Sequence, residues 1–243
     1  MNASEPNDHE PNDHEPNASE PNGREPNDSD LMVLPLVIRI ERATPPERTD
    51  ALEAAAMAVL SLLDDPGEWA AEVAAWQSTG RIRKVVRRAR GAEWRRAVAL
   101  PGRTVEHRTA EVRVHPPVPL DDWPRDLARL QVSGTELTDT RDLGPAEAPI
   151  LWANPGLDMS AGKAMAQAGH AAQLAWWASD HSERDAWRAA GLAVSVRTAA
   201  ETGFAAKVEA GLPVVRDAGF TEIAPGSCTF VAEAPWLYGR VRR

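Results

Sequence analysis

Lys163, Gln167 and His170 stand four and then three residues apart in one alanine-rich stretch. At about 100° per residue of helix they fall within roughly 60° of one face. Gly162 precedes Lys163, and a glycine in a first helical turn lets another group approach the backbone closely. The free N–H groups of such a turn, with an ammonium beside them, suit a phosphate or a developing oxyanion. Further on, Asp217 stands at the end of an expected strand, with Thr221 in the same turn and Ser227 beyond it. Ester hydrolysis needs a held water, a base and an oxyanion stabiliser, and these residue types supply them. Singly, each has an ordinary use. A helix lysine is usually solvated, a histidine among alanines usually sits satisfied in the core, and Asp217 before Ala218-Gly219 is a common turn residue. Ser227 and Thr221 can bond the local backbone. A Ser227–His170–Asp217 triad is conceivable, although no G-x-S-x-G elbow surrounds Ser227.

Residues 81–96, RIRKVVRRARGAEWRR, set seven arginines and Lys84 against Glu93 alone. That density suits phosphate contacts by Arg83, Lys84, Arg87 and Arg88, and Trp94 could stack on an unpaired base. Basic runs are also often solvated faces balanced by acids elsewhere in the chain. Trp69, Trp76, Trp123, Trp176, Trp177 and Trp187 read as packing residues.

The segment Met159-Ser160-Ala161-Gly162-Lys163-Ala164-Met165-Ala166-Gln167-Ala168-Gly169-His170-Ala171-Ala172 resembles the M-x-x-G-K-x-x-A-Q-x-x-H-A-A motif of the second type of peptidyl-tRNA hydrolase. Asp217 to Thr229, DAGFTEIAPGSCT, resembles the D-A-G-x-T-x-I-A-P-G-S-x-T motif of the same family. The resemblance covers residues 149–235. It implies a three-layer α/β/α domain with a four-stranded mixed sheet, and cleavage of the ester joining a peptide to the 3′ ribose of tRNA. It implies no metal and no organic cofactor. The site residues it points to are Lys163, His170, Asp217 and Thr221 as catalytic, with Gly162, Gln167 and Ser227 on the substrate. Asp217 is expected to position or activate water, and Lys163 to stabilise charge. The expected partner is peptidyl-tRNA, met in the cytoplasm. Phe220 and Asn154 stand where the family often has other residues. A non-catalytic tRNA- or ribosome-associated protein on this fold, and a hydrolase of another small acyl ester, are therefore alternative readings.

These residues need elements to hold them, and the apolar periodicity gives two similar runs. Residues 34–40 read as a strand and Thr49 to Leu63 as a helix with its stripe at Leu52, Ala55, Ala56, Val59, Leu60 and Leu63. Helices over 68–77 and 92–100, strands over 82–86, 104–108 and 111–115, and a last helix over 121–130 complete the first run. The second has a strand at 150–153, helices at 160–177 and 182–190, a strand at 192–197, a helix at 200–210, and strands at 213–216 and 229–232. Both runs go strand, helix, helix, strand, helix, strand, strand. The order predicts a degenerate first copy of similar topology over 31–130, a polar linker over 131–148, and the hydrolase-like domain over 149–243, the two halves packing as an internal pseudo-dimer.

Composition sets the frame. The 243 residues are 43% hydrophobic and 26% charged, enough apolar chain for a core. Cys228 is the only cysteine, so an intrachain disulfide or a cysteine-built metal site is excluded. No apolar run is long enough for a membrane span. Residues 1–30 hold nine acids against Arg24, so most of the net charge of −9 sits there and the rest of the chain is close to neutral. That segment repeats Glu-Pro-Asn every five residues and has too little apolar surface to offset backbone ordering of about 1–2 kcal/mol per residue. It reads as a disordered acidic tail. Deleting it is expected to leave the melting temperature unchanged and tRNA affinity equal or slightly higher; a lower melting temperature would show that it docks.

Overall fold

The computed structural model describes residues 31–80, 82–147, 149–219 and 223–239. Phe220, Thr221 and Glu222 and the repeat at 1–30 lie outside that range. Strand β1 (Met32–Arg39) is apolar on both faces and six of its eight residues are buried, which fits the centre of a sheet. It pairs parallel with β2 (Arg83–Ala89) and antiparallel with β4 (Ala110–Val114). β3 (Arg103–His107) adds antiparallel to β4, giving the order β2-β1-β4-β3. The short β5 (Val118–Pro119) pairs with Met32 and Val33, while β4 pairs with Leu36 to Ile38. Pro35 falls between these two partners, where a missing N–H disturbs the ladder least.

The second sheet repeats this plan. β6 (Ile150–Ala153) pairs parallel with β7 (Ser195–Thr198) and antiparallel with β9 (Cys228–Glu233), and β8 (Val214–Arg216) adds antiparallel to β9. The order β7-β6-β9-β8 matches β2-β1-β4-β3 strand for strand and direction for direction. The four-stranded mixed sheet and the second sheet of like topology are thus both present.

Between β1 and β2 run α1 (Arg48–Asp64) and α2 (Ala70–Ser78); between β6 and β7 run α5 (Ala161–Ala178) and α6 (His181–Ala189). α1 packs on β3 and β4 and reaches β7, whereas α5 packs on β8, β9 and β6 and reaches β2. The two long helices therefore lie against each other between the two sheets, and one apolar core runs through both halves. Their alanines allow that approach. A Cβ at Gly169 would stand 3.0 Å from Val59 and 3.3 Å from the Lys84 side chain. On the outer face of the first sheet, α3 (Gly91–Ala99) and α4 (Arg125–Ala128) bury Trp94, Ala97, Leu127 and Leu130 against Val37 and Ala89. α7 (Glu201–Glu209) covers the second sheet near β9.

Several sequence expectations change. The helix expected over 121–130 shrinks to the single turn α4, because Trp123 precedes Pro124 and such a residue is disfavoured in the α region. The strand expected from Leu192 begins at Ser195, since Leu192 takes φ +56° after Gly191. Trp94 is buried in the outer cluster and offers no stacking face. Residues 131–147 are no free spacer. The Thr135 hydroxyl accepts the Gly162 N–H at 3.0 Å, Asp139 accepts the Thr49 N–H at 2.8 Å, and Thr140 donates to Glu47. The segment straps the starts of α5 and α1. Among the described residues no helix is long and apolar enough to cross a membrane.

Candidate active site

Helix α5 begins where Ser160, in extended backbone, accepts the Lys163 N–H at 3.3 Å with its hydroxyl. The first three turns carry Lys163, Gln167 and His170 along one side, with Lys163 and Gln167 at the end of β8 and His170 at β2. Asp217 follows β8 directly. Its N–H donates to the Ser227 carbonyl at 2.9 Å and its carbonyl accepts the Gly226 N–H at 2.7 Å. These bonds close the turn that aims the carboxylate at α5. Gly219 takes φ +80°, and a Cβ there would meet Pro225 at 2.3 Å, so only glycine fits this turn.

The carboxylate is buried and well held. Lys163 Nζ donates to Oδ2 at 2.5 Å, Gln167 Nε2 donates to the same oxygen at 2.7 Å, and the Gly219 N–H donates to Oδ1 at 2.7 Å. Gln167 is itself fixed, because Thr229 donates to its Oε1 at 2.9 Å. An ionised carboxylate offers about four acceptor positions, so beside the donors among the described residues roughly one remains for a water or a substrate proton.

A cavity of about 730 Å³ opens over this pair. Gly162, Lys163, Gln167, His170 and Asp217 line it from the second half, and Arg83, Lys84, Val85 and Val86 of β2 line it from the first. His170 Nδ1 lies 3.3 Å from Lys84 Nζ, which also donates to Gln173 Oε1 at 2.5 Å. Burial, reinforced by Lys84 and Lys163, pushes the imidazole well below its usual range, so the ring is neutral at physiological pH. Burial pushes the Lys84 ammonium far down as well.

Residues 150–242 match the peptidyl-tRNA hydrolase PTH2 family model. Nothing among curated proteins or among solved structures matches the chain. Of the residues singled out in the sequence, the matched segment brings Gly162, Lys163, Gln167, His170 and Asp217 to one cavity. Thr221 lies outside the described residues. Ser227 contributes its carbonyl to the Asp217 turn. Gly162 makes room for the strap: a Cβ there would lie 3.0 Å from Thr135 Oγ1. Because Thr135 and Ser160 already take the Gly162 and Lys163 N–H groups, the start of α5 offers an anion fewer donors than its sequence suggests. Thr229, which fixes Gln167, was not singled out, although it closes the second motif.

Three of the four basic residues expected to meet phosphate are engaged by the protein itself, while Arg95 and Arg96 on α3 are exposed. Lys84 is buried in the cavity wall. Arg87 donates to the carbonyls of Ala128 and Leu130 at 3.1 and 2.6 Å and stacks 4.4 Å from the Trp123 ring. Arg88 donates to Ser133 O at 2.8 Å and to Gln131 Oε1. Arg83 lines the cavity.

The matched registers place the two halves in correspondence. Leu36 pairs with Val86 and Val114 as Leu151 of the second half pairs with Val196 and Ala232. Counted from the helix caps Glu47 and Ser160, Asp50 takes the position of Lys163. Counted from Val105 and Val215, His107 takes that of Asp217. The first half thus carries an acid and a histidine at the equivalent places, and there His107 bonds Glu53 at 2.8 Å while Asp50 pairs with Arg108 and Arg141. Asp50, Glu53 and His107 each bring a ligand atom within 4.8 Å of the others, which is metal-like spacing. Arg108, Arg141 and Arg197 already pair with the two carboxylates, so the cluster holds its own counter-charge and serves as an ion-pair network.

Proposed function

We propose that the chain hydrolyses the ester between a peptide, or an N-blocked aminoacyl group, and the 3′ ribose of tRNA in the cytoplasm, and so recycles peptidyl-tRNA. The observation that carries this reading is the Lys163–Asp217–Gln167 cluster at the cavity floor, inside the segment that matches the family. In the proposed reaction, water held at the remaining acceptor position of Asp217 attacks the ester carbonyl. As the water attacks, its proton passes to Asp217 and the oxyanion forms beside the Lys163 ammonium; when the C–O bond breaks, Asp217 returns that proton to the 3′ oxygen, releasing the 3′ hydroxyl of tRNA and the peptide carboxylic acid, which ionises in water. The first half is read as a degenerate copy of the second, packed on it as a pseudo-dimer, because the two sheets share one order and each long helix reaches the other sheet.

Release of the blocked amino acid from N-acetylated aminoacyl-tRNA by the full chain tests the activity. Binding of that tRNA without release would favour the non-catalytic reading. A second catalytic reading has its own support, since Ile82, Val85, Val86, Leu120, Val132 and Leu174 make much of the cavity wall apolar. Cleavage of a simple apolar acyl ester, with the tRNA substrate untouched, would favour it.

Arg83 and Arg216 line the cavity from the two halves and are read as binding the tRNA backbone. Changing both to Gln is expected to reduce the slope of log affinity against log salt by about 0.7–0.9 for each phosphate that is no longer neutralised. Arg87→Ala is expected to leave that slope alone. It strands two carbonyls, a cost of about 1–3 kcal/mol, and a thermal melt should fall by several degrees. A salt slope that follows Arg87 instead would return RNA binding to the outer face.

A further inference from the structure

We propose that Lys84 is a positioning residue for the cavity, supplied by the N-terminal half, which donates to His170 Nδ1 and thereby sets the imidazole as a hydrogen-bond donor through Nε2. Lys84 sits on β2, the edge strand of the first sheet, and shares the inward face with Val86. Its methylene stem crosses α5 at Gly169, the one place where a missing Cβ leaves room. The amine ends between Gln173 Oε1 and His170 Nδ1 and lies 4.8 Å from the Trp76 ring. Every part of its path is therefore prescribed by a neighbour.

The consequence for His170 follows from what a neutral imidazole can do. One ring nitrogen carries the proton and the other accepts, and a donor placed on one fixes the proton on the other. In the proposal Lys84 is that donor, its Nζ hydrogens shared between Gln173 Oε1 and His170 Nδ1, which puts the ring proton on Nε2. That nitrogen has no hydrogen-bond partner among the described residues, and the ring lines the cavity. The charged and titratable groups around it are Lys84 from β2 and Lys163 from α5, with Arg83 of β2, Arg216 of β8 and Asp217 after it on the same cavity wall. The first two both oppose a second proton on the ring. His170 is thus a neutral N–H donor, suited to a substrate carbonyl or its oxyanion and unsuited to abstract a proton. The N-terminal half contributes to the chemistry as well as to the walls.

The histidine geometry stands apart from any reaction, while its effect on turnover rests on the hydrolase reading. The first test is therefore spectroscopic. In the full chain with nitrogen-15-labelled histidine, His170 is expected to show the Nε2–H form and to stay neutral to well below the pH where an ordinary histidine titrates. Lys84→Met, which keeps the stem and removes the donor, is expected to mix the two tautomers and move the titration up towards the ordinary histidine range. Lys84→Arg keeps a donor and should hold the Nε2–H form, and it serves equally should Lys84→Met fold poorly. A wild-type spectrum with the proton on Nδ1, or a Lys84→Met spectrum identical to wild type, overturns the proposal. Kinetics follow: Lys84→Met should lower kcat on N-acetylated aminoacyl-tRNA by about 10–100-fold, as when a histidine loses the group that orients it, with KM nearly unchanged. A wild type that releases nothing from tRNA while the tautomer result holds would sink the hydrolase reading and leave the role of Lys84 intact.

Discussion

Replacing Lys163 by alanine is expected to lower turnover of N-acetylated aminoacyl-tRNA by about 10²–10³-fold, the usual effect of removing one preorganised oxyanion stabiliser. The ammonium stands at the cavity floor with its side chain only 12% exposed, so bulk water cannot replace it. The backbone N–H groups at the start of α5 cannot replace it either, since Thr135 and Ser160 already hold two of them. The same substitution leaves Asp217 buried with Gln167 and Gly219 as its donors among the described residues, and a buried charge stripped of its partner destabilises. Loss of activity must therefore be separated from loss of fold. Asp217→Asn keeps the shape and removes the negative charge; catalysis should fall while tRNA affinity stays or rises. The double variant Lys163→Ala/Asp217→Asn should regain the melting temperature lost in Lys163→Ala and regain no turnover. Full hydrolysis by a folded Lys163→Ala protein would remove Lys163 from the chemistry.

The layout of the molecule is written in its periodicity. Glycine and proline mark the breaks, and each half spells strand, helix, helix, strand, helix, strand, strand, so one topology serves twice. The site was legible because two motifs name both partners of an ion pair that only a fold can join. The directions of the basic residues were harder to read. A run of arginines announces charge without saying which face it takes. Strand alternation holds the answer: once Val86 faces the core, Lys84 and Arg88 share its side and Arg87 takes the other. Trp94 and Ala97 lie three apart on α3 and face inward together, which is why the tryptophan packs and does not stack. The start of α6 carries a further readable signal, since Asp180 and Glu183 form a reciprocal capping box where Ser182 was expected to begin the helix. What no local pattern gives is the strap at 131–147. Its bonds reach residues far along the chain, Thr49 and Gly162 among them, so no window of neighbouring residues contains both partners.

Glu53→Ala is the substitution expected to cost most stability. Glu53 is 1% exposed on α1 and touches both halves. One carboxylate oxygen accepts from His107 at 2.8 Å and from Arg108 at 3.2 Å, both in the first half. The other accepts the Val196 N–H at 2.9 Å and lies 3.4 Å from Arg197, both on β7, the edge of the second sheet. Removing it strands a buried N–H and leaves two guanidinium groups short of a counter-charge. Breaking a buried ion pair from one side costs about 3–5 kcal/mol, and at this chain length the melting temperature should fall by about 6–20 °C. Glu53→Gln keeps an acceptor for Val196 and should lose less. Asp50 supplies an acid arm to the same network. Burial raises its carboxyl, but the two donors of Thr109 and the guanidinium of Arg141 outweigh burial and hold it below the ordinary aspartate range. Its contribution is therefore present above that range and disappears as pH falls through the lowered value. Melts between neutral pH and about pH 3 should show a shallower acid decline for Asp50→Asn than for wild type, from a lower starting point. The cavity floor lies on α5 and β8, away from this network. Below its melting temperature Glu53→Ala should accordingly keep most of its turnover per folded molecule. An unchanged melting temperature would mean that the alanine-lined packing of α1 on α5 joins the halves without help from charge.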